Sequence, residues 1–248
     1  MILGSGGFKT IPQPLCECSL CKAARKNKKF RRTGPSFYVP QADFLVDLSA
    51  ESKEQIDQLS RFPKHIAFSH WHPDHTEGYR VLESFPNQPK VYIQSDSKIL
   101  ERVPALKFLA GIGKIKIVDW PTGQNLNLNG FKVSSIKINS DIPVYAFLVK
   151  KAEKRILLCP DHSRHLLDIA PIKNLDMLIM NIGVFDKIKE MTNFDDNLNI
   201  IAAFSPKKTV LTHVEEQFQI DKIKQVKIEK KYKDKKLSIT KDNQILEI

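Results

Sequence analysis

Apolar residues along this chain gather into short runs separated by polar stretches, and most of the runs are too brief for helices. They predict strands at Ser36 to Val39, Asp43 to Leu48, His65 to Ser69, Lys90 to Gln94, Lys114 to Asp119, Phe131 to Ile138, Tyr145 to Lys150, Arg155 to Cys159, Met177 to Asn181 and Thr209 to Thr212. Between them the pattern predicts helices over Glu51 to Arg61, Asp74 to Phe85, Ser95 to Val103, Asp195 to Phe204 and Glu216 to Val226. Leu126 to Leu128 and Phe131 to Ile138 flank Asn129-Gly130, a pair that supplies the positive φ angles of a type I′ hairpin. A second hairpin is expected through Lys241-Asp242-Asn243. Two β-rich halves with intervening helices fit an α+β sandwich of sheets covered by helices, in one domain over residues 1–248.

Composition is consistent with a folded domain: 42% of the 248 residues are hydrophobic, ample for a sizeable core. No run approaches the roughly 18 apolar residues of a membrane span, and the start lacks the features of a signal peptide, so the expectation is a cytoplasmic protein without a membrane partner. The cysteines are unevenly placed: Cys16, Cys18 and Cys21 fall close together, and Cys159 lies in an apolar run as a core residue. Three clustered thiols in a reducing compartment suit a metal better than a disulfide framework, and their spacing makes a tetrahedral zinc clamp that lacks one ligand. The formal charge of +11 is concentrated at Lys22 to Arg32 and Lys222 to Lys236. Charge of this kind attracts phosphate-bearing ligands or nucleic acid, but neither stretch has the interleaved aromatics of a base-stacking platform.

The densest chemistry is His70-Trp71-His72-Pro73-Asp74-His75, directly after the strand Lys64 to Ser69. Three of the seven histidines and a carboxylate lie where a strand passes into a helix, so their side chains can converge on one point. Imidazole and carboxylate ligands suit zinc, manganese or iron. Gly4-Ser5-Gly6-Gly7 reads as a tight turn, with neither the full spacing nor the following helix of a nucleotide-binding loop.

In the motif His70-x-His72-x-Asp74-His75 the sequence resembles the metallo-β-lactamase superfamily, which implies a four-layer αββα sandwich and two active-site divalent ions, zinc or manganese. The resemblance assigns His70 and His72 to metal one, and Asp74 and His75 to metal two. Asp161, after Arg155 to Cys159, becomes the bridging carboxylate, and His213, after Thr209 to Thr212, becomes the last ligand. The chemistry so implied is hydrolysis by metal-activated water, with Asp74 and Asp161 central to it and no protein nucleophile. Gly4 to Gly7, Cys16-x-Cys18-x-x-Cys21, Phe30-Arg31-Arg32 and Ser36 narrow the likeness to the PhnP-type phosphoribosyl 1,2-cyclic phosphate phosphodiesterase branch. That branch implies a structural zinc in the segment at about 14–33, a small phosphate-containing substrate and a homodimer.

Three positions depart from the branch. The fourth ligand of the structural zinc falls on Glu216, the third histidine of metal one on Ser140, and the substrate-contacting histidine on Asn193. Asp141, His162 and His165 are candidates to compensate at metal one, with an ordinary surface role as the default for each. The expectation is therefore a retained metal two and a weak or altered metal one. Three functions stay open: a phosphodiesterase for a small cyclic or linear phosphodiester, a degenerate binding protein of the same fold, and a nucleic-acid-processing hydrolase.

Overall fold

The computed structural model describes residues 1–185, 192–215, 220 and 222–247. Among these residues thirteen strands form two sheets. The first sheet runs β1 (Ile2–Gly4), β2 (Ser36–Val39), β3 (Phe44–Val46), β4 (His65–Ala67), β5 (Lys90–Ile93) and β6 (Lys116–Asp119), in that spatial order. The second holds β7 (Asn125–Leu128), β8 (Phe131–Asn139), β9 (Pro143–Lys151), β10 (Lys154–Cys159), β11 (Met177–Asn181), β12 (Thr209–Thr212) and β13 (Leu237–Ile239), also neighbour to neighbour. Strands β3 to β6 are mutually parallel, as are β10 to β13, so the C-terminal ends of several strands meet along one rim.

Among the described residues the α-helices are α1 (Ser19–Lys26), α2 (Ser52–Ile56), α3 (Pro73–Thr76), α4 (Ile99–Arg102), α5 (Ala105–Gly111), α6 (Phe194–Phe204) and α7 (Lys222–Lys231). Central strands are apolar on both faces, as strands buried between two layers must be. In β9, Val144, Ala146 and Leu148 face one core while Tyr145, Phe147 and Val149 face another. The second set joins Phe44, Ala67, Tyr92 and Trp120 of the first sheet's side in a shared core between the sheets. A separate core packs α6 on the outside of the second sheet, through Ile200, Ile201 and Phe204. Another packs Ile56, Leu82, Ile99, Leu106 and Leu109 on the outside of the first. Three cores between four layers make the αββα sandwich expected from the sequence. No helix among the described residues is long and apolar enough to cross a membrane.

Several local expectations need correction. The helix expected over Asp74 to Phe85 is only α3, followed by 3₁₀ turns over Glu77–Ser84. Gly78 donates to Leu48 O at 2.9 Å, and a methyl there would overlap Ser49 O, so tertiary contact rather than propensity sets this path. Helices expected over Glu51 to Arg61 and Ser95 to Val103 shorten to α2 and α4, and left-handed Lys98 (φ 58°) immediately precedes the latter. Of the helix expected over Glu216 to Val226, residues 216–219 and 221 lie outside the described residues, and the described helix is α7.

Asn129 and Gly130 have φ of 49° and 80°, as the first hairpin required. The second hairpin does not form. After Lys241 to Asn243 the chain leaves the second sheet, and Gln244 pairs with Ile2 of the first. The Asp242 carboxylate ties this crossing down, accepting from Ser5 N and Oγ (2.9 and 2.7 Å) and from Thr33 N and Oγ1 (2.7 and 2.9 Å). Gly4 to Gly7 is extended rather than a tight turn. Its glycines permit close approach: a Cβ on Gly7 would lie 2.5 Å from His213 Nδ1.

Candidate metal centre

Every expected active-site ligand projects from the rim where parallel strands end. β3 delivers Asp47, β4 delivers His70 to His75, β10 delivers Asp161 and β12 delivers His213. Asp47, His162 and His213 each hold left-handed backbone, with φ of 63°, 53° and 58°. Non-glycine residues pay about 1–3 kcal/mol for such conformations, which persist where surrounding structure imposes them. Here they turn the chain abruptly off the strand ends and aim side chains into the rim.

Two clusters of ligand atoms result. In the first, Asp74, His75 and His213 converge, with Asp74 Oδ2 3.3 Å from both His75 Nε2 and His213 Nε2. In the second, His70, His72, Asp161 and His162 converge. His70 Nε2 and His72 Nδ1 are 3.0 Å apart, and Asp161 Oδ2 stands 3.9 Å from His70 Nε2 and 3.7 Å from His162 Nε2. That same oxygen is 3.8 Å from His213 Nε2, so Asp161 faces both clusters with one atom. Its other oxygen is occupied, accepting from His162 N at 2.7 Å and Asn181 Nδ2 at 3.0 Å.

Hydrogen bonds fix which ring nitrogens are open to a cation. Asp47 is fully buried; it accepts from Ser69 N (2.7 Å) and Ser69 Oγ (2.8 Å), and from His75 Nδ1 (2.8 Å). His75 thus carries its proton on Nδ1, leaving Nε2 buried without a hydrogen-bond partner. Ser69 Oγ, having donated to Asp47, accepts from His70 Nδ1 at 3.0 Å, which opens His70 Nε2 in the same way. Asp47 and Ser69 were not singled out by sequence reasoning. The available signal was only a carboxylate near the end of a predicted strand.

Charge favours a cation. Burial would raise the Asp74 carboxyl, but His75 and His213 hold it far below its ordinary range. Burial depresses His75 and His213, yet Asp74 and its neighbouring carboxylates lift both above the usual imidazole value. This cluster draws in positive charge even without an ion. In the other cluster, burial and neighbouring rings keep His70 well below the ordinary value, and burial lowers His72, so both stay neutral as ligands require. Orphaned, buried Nε2 of His75 and this donor set fit divalent metal ions.

Cys16, Cys18 and Cys21 also bring their sulfurs together, and no disulfide forms. Arg25 pins the loop through Cys16 O (2.6 Å) and Gln13 O (2.8 Å). The expected fourth ligand, Glu216, lies outside the described residues. Cys159 is wholly buried, as expected. Asn193 accepts from Asp196 N at 3.0 Å in a capping box that starts α6. His165 pairs with Asp168 at 3.0 Å, outside both clusters.

Both clusters open into a cavity of about 410 Å³. Lys9 and Arg164 stand in its wall, and so does Glu215, whose carboxyl is raised first by burial. None of these three was anticipated from sequence.

Residues 39–214 match the model of the β-lactamase superfamily domain. Among solved structures, a diphosphatase of the PhnP family superposes with a TM-score of 0.76 at 20% identity, covering 100% of this chain and 96% of that one. Zn²⁺-bound PqqB from Methylobacterium extorquens gives 0.74 at 17%, covering 100% and 99%. The short form of human tRNase Z gives 0.67 at 16%, covering 100% and 98%. No curated protein matches the sequence.

Proposed function

Because the chain belongs to the metallo-β-lactamase superfamily, we propose that it is a metal-dependent phosphodiesterase acting on a small cyclic or linear phosphodiester. The observation that carries this reading is Asp161 Oδ2, which faces both ligand clusters beneath a cavity walled by two cations. His70, His72, Asp74, His75, Asp161 and His213 would hold divalent ions, which would supply an acidified water and positive charge for a phosphoryl oxygen. The chain's own groups do the rest. Asp161 and Asp74 set the charge of the site, and Asp47 and Ser69 hold the imidazoles in their ligating tautomers. Lys9 and Arg164 attract and orient an anionic ester. A volume of about 410 Å³ suits a small molecule, within the common range of about 300–1,000 Å³.

The test is turnover of bis-p-nitrophenyl phosphate with manganese or zinc supplied. His72→Ala and Asp161→Ala are expected to abolish it, and Lys9→Ala and Arg164→Ala to raise KM more than they lower kcat. Activity unchanged in His72→Ala and Asp161→Ala would reject the metal mechanism. A metal-loaded protein with no turnover would favour the ligand-binding alternative.

A further inference from the structure

Ser140 stands where the family places the third histidine of metal one, and on the sequence alone that site looked incomplete. The structure places His162 opposite, its ring centre 5.5 Å from that of His70 and 5.9 Å from that of His72. We propose that His162, arriving from β10 rather than β8, replaces the missing histidine, and that Ser140 is its positioning residue. The inference rests on reading the rim as a metal centre.

Three observations carry it. The first is the hydrogen-bond relay. Ser140 Oγ donates to Asp141 Oδ1 at 2.7 Å, so the hydroxyl must accept from His162 Nδ1, 2.8 Å away. That leaves the lone pair of His162 on Nε2, the atom facing Asp161 Oδ2. The relay repeats the one through Asp47, Ser69 and His70: a carboxylate orients a serine, which fixes a histidine tautomer. Ligating histidines characteristically have such outer partners.

Spacing is the second. Zinc with ~2.0–2.1 Å bonds to nitrogen and oxygen requires ligand atoms ~3.3 Å apart in a tetrahedron. The separations of 3.0, 3.9 and 3.7 Å around Asp161 Oδ2 and the histidine nitrogens bracket that value.

The third is backbone. His162 adopts φ 53°, ψ 28°, a conformation uncommon without glycine, and its N–H binds Asp161 Oδ1 at 2.7 Å. This tight turn brings the bridging carboxylate and the replacement imidazole to the same spot from adjacent residues. Metal one thus gains a complete set of His70, His72, His162 and Asp161, built for a zinc-like divalent ion.

The test is metal counting on the full chain, stripped and then equilibrated with buffered cobalt(II). Thiolate-to-cobalt charge transfer identifies the cysteine-bound ion separately from the other sites. Wild type is expected to hold two ions beyond it. His162→Ala is expected to lose one of these and keep the other, while His165→Ala loses none. Ser140→Ala, which leaves every ligand in place, is expected to weaken one ion by about 10–100-fold. Restoring a histidine on the other strand, in His162→Ala combined with Ser140→His, is expected to return the lost ion. His162→Ala with two ions at wild-type affinity would overturn the proposal, as would a wild type that holds only one. Ser140→Ala with unaltered affinity would overturn the positioning role. A wild type that binds no ion beyond the cysteines would instead remove the metal centre on which the proposed function also depends.

Discussion

Asp47→Asn is the sharpest perturbation of the rim, because it keeps shape and removes one acceptor. The buried carboxylate accepts from Ser69 N, Ser69 Oγ and His75 Nδ1. An amide oxygen can still accept from Ser69 N, but the NH₂ group then faces the serine hydroxyl and the imidazole. The hydroxyl can rotate and accept. His75 has no such freedom; it must accept at Nδ1 and move its proton to Nε2, the atom that faces Asp74 and His213. A protonated Nε2 cannot ligate. Loss of an orienting partner typically costs 10–100-fold in metal affinity, equivalent to about 1.4–2.8 kcal/mol at 1.4 kcal/mol per decade. The cost to folding of the altered buried bonds is about 1–3 kcal/mol, a fall of about 2–12 °C in melting temperature for a chain of this size. Competition with a chromophoric chelator reads the affinity of each ion, and thermal melting of the metal-free protein reads the fold separately. The expected result is a folded protein with one weakened ion, at the Asp74, His75 and His213 cluster. Two active-site ions at wild-type affinity would refute the tautomer argument.

Other perturbations separate the layers of the structure. Cys16→Ala should remove one ion and its charge-transfer band while leaving the ions at the rim, as metal analysis would show. Trp120→Ala empties a fully buried position that touches Phe44, Tyr92 and Phe147, and should cost about 3–5 kcal/mol in urea denaturation with metal stoichiometry unchanged. Asp242→Asn sets an amide against the donors of Ser5 or Thr33, and should cost about 1.5–3 kcal/mol by the same assay. An unaffected midpoint there would mean that the crossing to the first sheet contributes little.

What was legible in the sequence follows from how local each feature is. Asp161 and His213, each following a predicted strand, were assigned only through the resemblance and the order of its motifs, whereas His70 to His75 stands out because its candidate ligands sit within one loop. The four layers were legible for the same reason: runs such as Val144 to Val149 are apolar at every position, which two-sided burial demands. Asp47, Ser69 and the link from Ser140 to His162 were not legible, since they join residues 22 positions apart through tertiary contact. His162 had no local pattern to distinguish it from a surface histidine. Helices were overextended at Glu51 and Asp74 because periodicity does not register where a neighbouring segment holds the backbone by tertiary contact, as Leu48 O does at Gly78 N. The closing turn was read correctly as a turn and wrongly as a hairpin, because β13 pairs in parallel with β12 and releases the chain to the other sheet.

The single oxygen of Asp161 that looks toward both clusters has a consequence for biogenesis. His70, His72, Asp74 and His75 emerge early in synthesis, and Asp161, His162 and His213 much later. A partly made chain therefore presents only the groups of one loop, and on the proposed function capture of ions would await docking of the second half on the first. Metal loading would then serve as a quality check on folding, selecting chains whose two halves have met.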